Sequence, residues 1–148
     1  MKKKLSILGA LLLSLTACAL APFPDVSKPY AVTQGPHEHL LANYYAINAW
    51  SPDHRYLLAL ETDLNGRLPE AGERCTLGLV DLRDGNRFIP VTTTACWNFQ
   101  EAAMAHWLPN EKDTILFNDL RDGKFVAVIL NWRTKQERIV PHPVSAVS

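Results

Sequence analysis

The chain has 148 residues, 47% of them hydrophobic and 20% charged, with 15 basic and 15 acidic side chains in formal balance. That length and composition suit one ordinary globular domain. No basic cluster, basic helix or run of aromatics interleaved with arginines is present, which excludes a phosphate-seeking surface and with it a nucleic-acid partner.

The amino terminus reads as a leader. Lys2-Lys3-Lys4 is a basic start, and Leu5 to Leu15 is an apolar run too short to span a bilayer, which takes about 20 residues. The ending Leu15-Thr16-Ala17-Cys18 resembles the lipobox of bacterial lipoproteins. The resemblance implies cleavage before Cys18, acylation of its thiol and its freed amine with palmitate-like chains, and stable attachment to a membrane. Ala19 follows the cysteine where an Asp would resemble an inner-membrane retention signal, so the expected location is the periplasmic face of the outer membrane in a bacterial envelope. Residues 1–17 are thus expected to be a signal peptide, and loss of its three lysines leaves the mature chain mildly acidic.

Residues 18–43 read as a lipid-anchored tether and lead-in. Pro22, Pro24 and Pro29 favour extended backbone and bury little. Residues 44–148 then carry the folded part. Ala46 to Trp50 alternates as a strand, Ser51-Pro52-Asp53-His54 is a turn, and Tyr56 to Thr62 is a second strand. A polar loop from Asp63 to Arg74 leads to a third strand, Thr76 to Asp81. Arg83-Asp84-Gly85-Asn86 closes it, and Arg87 to Val91 is an edge strand that tolerates Pro90.

The plan then recurs, with strands at Ala102 to Trp107, Asp113 to Asp119, Phe125 to Asn131 and Glu137 to Val140. Trp50-Ser51-Pro52-Asp53 lies 57 residues before Trp107-Leu108-Pro109-Asn110. Four antiparallel strands per unit and a repeated Trp-x-Pro turn predict an all-β fold of two β-propeller blades, an incomplete propeller behind a signal helix and an extended tether. Val147-Ser148 sits where a third unit would start. The expectation is a piece of a longer propeller, or self-association of identical chains into a closed ring.

His37-x-His39, Tyr44-Tyr45, Leu57 to Asp63, Gly78 to Leu82, Trp97-Asn98-Phe99-Gln100, Trp107-Leu108-Pro109 and Phe117-Asn118-Asp119 with Asp122-Gly123 resemble the start of bacterial propellers similar to oligogalacturonate lyase and the Tol-system propeller. In the lyase, the resemblance implies a metal held by histidines and a glutamine, with a histidine or arginine taking the proton beside the uronate carboxylate. Those residues belong to later blades, so no catalytic residue is assigned here and catalysis by this chain alone is not expected.

Several groups remain as candidates for chemistry. His37 and His39, two apart, would share a strand face and are the candidate divalent-metal ligands. His106 and Gln100, on or beside an inner strand, and Asn118 and Asp119, ending a second strand, are candidate ligand contacts; Glu61 and Asp63 end the equivalent strand. Polar capping of turns is the competing reading for those acids and amides, and inter-blade packing for the paired tryptophans Trp50 and Trp107. Cys75 and Cys96 fall at the same end of the sheets in a disulfide-permitting compartment, so either a disulfide or two half-buried thiols fits. The expected role is a lipid-anchored binding or scaffolding module, its partner an oligosaccharide or an envelope protein. The alternatives are the amino-terminal portion of a polysaccharide lyase and an assembly partner resembling the Tol propeller.

Overall fold

The computed structural model describes residues 29–44 and 47–145. The leader, residues 18–28 of the tether with Cys18, and residues 146–148 lie outside the described residues. The elements belong to one unit, Ala31–Ser148, and no helix occurs among the described residues. The fold is all-β: two four-stranded antiparallel sheets, each a meander in sequence order.

The first sheet runs β1 (Glu38–Leu41), β2 (Tyr56–Thr62), β3 (Cys75–Asp81), β4 (Arg87–Thr94). The second runs β5 (His106–Trp107), β6 (Thr114–Arg121), β7 (Lys124–Asn131), β8 (Glu137–Val140). Asp122-Gly123 makes the tight β6–β7 turn with both residues at positive φ, 51° and 74°, the torsions a two-residue hairpin requires. β4 runs on through Pro90 to Thr94, accommodated by a register shift between Leu77 and Gly78. As an edge strand it has no further neighbour to which Pro90 would owe a hydrogen bond.

Two expectations need correction at the leading edge of each sheet. The strand beside β2 is β1, inside the segment read as lead-in, and not Ala46 to Trp50. β1 takes Ala59 to Thr62 as partners, so Ala49-Trp50 is left with one short stretch: a Trp50–Leu57 bridge, with the Leu58 amide donating to the Ala49 carbonyl at 2.9 Å. Residues 45–46 are outside the described set. In the second sheet the strand read over Ala102 to Trp107 shrinks to His106–Trp107, because Ala102 and Met104 both sit at φ 52°, incompatible with extended backbone.

Alternation puts Leu58 and Leu60 of β2 and Leu77 and Leu79 of β3 on one face of the first sheet. Ile115 and Phe117 of β6 and Val126, Val128 and Leu130 of β7 share a face of the second. These nine side chains form one buried cluster, so the two sheets pack face to face across it. Each fully buried aliphatic or aromatic side chain there contributes about 1.5–3 kcal/mol.

Candidate functional site

The turn Ser51-Pro52-Asp53-His54 and its counterpart Leu108-Pro109-Asn110-Glu111 come together at one end of the two sheets. The Ser51 hydroxyl donates to Asp53 at 2.6 Å and accepts the Tyr56 amide at 2.8 Å, which fixes the first turn. Trp107 is bound across the junction, its indole N–H donating to the Ala49 carbonyl at 3.0 Å. Between the turns lies a cleft of about 490 Å³ bordered by Tyr56, Trp107, Arg55, Arg133, Asp113 and Lys112.

Its charges are held in pairs. Arg55 reaches buried Asp81 at 2.7 Å, and Arg133 reaches Asp113 at 3.0 Å. Arg133 also stacks over Trp132 at 4.0 Å, while Tyr56 meets Trp132 edge-on at 5.3 Å. The bond to Asp81 raises the Arg55 pKa further above its already high value. Arg133 is desolvated, but its bonds to Tyr56 and Asp113 outweigh that and raise it too. Both guanidiniums are therefore fixed cations on rigid, aromatic-backed supports. Sequence reading missed this cleft; the repeated Trp-x-Pro turn was the signal that could have found it.

The residues singled out from sequence are not gathered in one place. His106 is buried on β5, with Nδ1 2.9 Å from the Met104 carbonyl and Nε2 without a hydrogen-bond partner. Gln100 lies on an exposed turn whose amides are capped by Asn98, and its side chain makes no hydrogen bond to His106. Asn118 grips the backbone of Val144, donating to its carbonyl at 2.7 Å and accepting its amide at 2.8 Å.

Asp119 is consumed internally. It is fully buried, accepts the Ala95 and Leu120 amides at 2.9 and 2.8 Å, and pairs with Arg121 at 2.5 Å and Arg74 at 3.3 Å. Burial pushes its carboxyl up, but the two amides and two guanidiniums outweigh that and hold it below its ordinary value. Its acceptor sites are thus filled by groups of this chain.

His37 and His39 share the outer face of the first sheet, each opposite a carboxylate. His37 Nδ1 bonds Asp63, and that bond together with the Asp63 charge raises its pKa. His39 is buried, edge-on to Phe88 at 4.9 Å; its Nε2 stands 3.2 Å from Glu61 but is not aligned for a hydrogen bond. Among the described residues no group of three or more His, Cys, Asp or Glu is arranged to hold a metal ion. Cys75 and Cys96 are free thiols, Cys75 buried opposite Thr94 and Cys96 half-buried two residues further on.

No protein-family model, curated protein or solved structure matches the chain.

Proposed function

We propose that the chain is a lipid-anchored module of the bacterial envelope, facing the periplasm, whose two sheets are consecutive propeller-type blades used for binding or scaffolding. The observation that carries the binding role is the cleft between the two repeated turns. Its volume of about 490 Å³ is in the range of small-molecule sites, and it combines Trp107 and Tyr56 with the fixed guanidiniums of Arg55 and Arg133. Aromatic walls with a few oriented polar groups suit an oligosaccharide, whose ring faces stack on indole and whose hydroxyls or carboxylates accept from arginine. The order of strands and the repeated turn support the blade reading.

Titration of tryptophan fluorescence with neutral and uronate-containing oligosaccharides tests the binding role. Saturable quenching that is abolished in Arg133→Ala is expected; an unresponsive spectrum with both sugar classes defeats it. Radiolabelled palmitate incorporated by the wild type and not by Cys18→Ser tests the anchor, and equal labelling of the two removes it.

A further inference from the structure

The cleft between the repeated turns is walled by both signs of charge: Arg55, Lys112 and Arg133 stand against Asp53, Glu111 and Asp113. Most of these groups are already engaged. Arg55 gives Nε and Nη2 to Asp81 at 3.1 and 2.7 Å, and the Nε of Arg133 lies 3.0 Å from Asp113. Glu111 is held by Arg138 of β8 at 2.5 Å. Asp53 and Lys112 make no ion pair among the described residues; Arg83 bonds the Asp53 carbonyl and not its carboxylate. The lining charges and their ion-pair partners, Asp81 and Arg138, therefore sum to zero.

What the walls still offer is hydrogen bonding of both kinds. Nη1 of Arg55 and Nη1 of Arg133 donate to nothing among the described residues. Asp53 receives the Ser51 hydroxyl and the Arg55 amide on Oδ1, which leaves Oδ2 without a donor among those residues. A sugar hydroxyl both donates and accepts, so it can satisfy either group, whereas a carboxylate only accepts.

The positions a carboxylate would want are taken. An arginine binds a carboxylate best through two parallel N–H groups, and on Arg55 the Nε and Nη2 pair holds buried Asp81. A uronate brought to Arg133 competes there with Asp113, and Asp53 and Glu111 repel it as like charges.

We propose that this cleft takes neutral, hydroxyl-rich glycans and discriminates against uronates. The sugar face lies on half-buried Trp107, and its hydroxyls donate to Asp53 and accept from Arg55 and Arg133. Asp113 is the specificity-determining residue, because it withholds Arg133 from an incoming carboxylate. The inference rests on the sugar-binding reading of the cleft and narrows it to one chemical class.

Isothermal titration of the full chain tests it, in a polyoxyethylene detergent that carries no sugar headgroup. Two ligand pairs of equal length differ within each pair only in charge at C6: cellohexaose with its C6-oxidised uronate form, and fully methyl-esterified hexagalacturonate with the free acid. In a pair that binds, the neutral member is expected to bind about tenfold more tightly at low salt. Asp113→Asn suits the positive φ of 55° at this position, and is expected to lower the neutral-to-uronate affinity ratio about tenfold with circular dichroism unchanged. Salt gives a second measurement that needs no variant. Raising sodium chloride from about 0.01 to 1 M screens the repulsion, so the wild-type ratio is expected to fall toward one while neutral-sugar affinity holds. A free acid bound as tightly as its neutral partner by the wild type overturns the selectivity and leaves sugar binding standing, as does a ratio that rises with salt or stays fixed in a folded Asp113→Asn. Heat from neither pair removes the sugar-binding reading and this inference with it.

Discussion

Arg74, leading into the third strand of the first sheet, reaches the buried carboxylate of Asp119 in the second sheet at 3.3 Å, across 45 residues of sequence. The same carboxylate accepts the Ala95 amide from the connection between the sheets, so one side chain ties together both sheets and the link that joins them. Asp119→Ala strands two amides and two guanidiniums at once. Breaking a buried pair by removing one partner costs about 3–5 kcal/mol, and the partial exposure of both arginines puts this loss near the lower figure. Arg74→Met leaves Arg121 in place and is expected to cost about 1 kcal/mol. Urea unfolding of both variants checks the order, and a smaller loss in Asp119→Ala than in Arg74→Met contradicts this account.

Local features of the fold were legible in the residues, and competition between distant segments was not. Asp122-Gly123 declared its turn because positive φ at two successive positions favours those residue types. The strand read over Ala46 to Trp50 had the right alternation, but Glu38–Leu41 occupies most of the β2 edge it needed. Nothing in Glu38-His39-Leu40-Leu41 announces that preference, since it is a pairing and not a propensity. The candidate site followed the same rule. Asn118 and Asp119 read as polar residues at a strand end, yet the partners that engage them, Val144 and Arg74, lie 26 and 45 residues away. The cleft at Tyr56 needed Arg133, 77 residues on.

Gly78 shows why one position in β3 has no side chain. A Cβ there would stand 2.3 Å from the Phe88 ring and 2.7 Å from the Ile89 carbonyl, both inside contact distance. Phe88 lies over this gap and meets His39 edge-on, covering the outer face where Val80 is completely buried. Gly78→Ala is expected to cost about 1–3 kcal/mol by overpacking. Because the Ile89 carbonyl belongs to the paired strand, shortening the ring in Gly78→Ala/Phe88→Leu is expected to restore only part of the loss. A double-mutant cycle measures the coupling, and full restoration would show that the ring alone sets the constraint.

The two thiols differ in access but share a chemical disposition. Burial pushes Cys75 up to about 12 and raises Cys96 as well, with the Asp119 charge adding to the second. The thiolate is the reactive form, so both resist alkylation at neutral pH. In the Cys18→Ser chain, iodoacetamide is expected to modify Cys96 slowly and Cys75 only on unfolding. Mass spectrometry of partly labelled protein reads the sites separately, and early labelling at Cys75 would mean that the β3–β4 pairing opens far more readily than its burial implies.

The charged pairs also set how stability responds to pH. Asp81 is held below its ordinary value by Arg55, and Glu73 is held down to about 2 by Arg67 and the Glu70 amide. Asp53 is lowered by the Ser51 hydroxyl and Asp119 by the groups that outweigh its burial. A carboxylate depressed on folding adds stability that is present above its unfolded pKa, about 3.9 for Asp, and is lost as pH falls through the folded value. His37 runs the other way: Asp63 raises it, so its contribution is full below about pH 6.5 and disappears as pH climbs through the raised value. The urea midpoint is therefore expected to be highest between about pH 5 and pH 6.5, falling steeply on the acid side and slightly on the alkaline side. His37→Gln should remove the alkaline step and leave the acid limb intact, while Asp119→Asn should shallow the acid limb and leave the alkaline step. An acid limb unchanged in Asp119→Asn would shift the acid sensitivity to Asp81, whose Asp81→Asn variant then has to reproduce the missing slope.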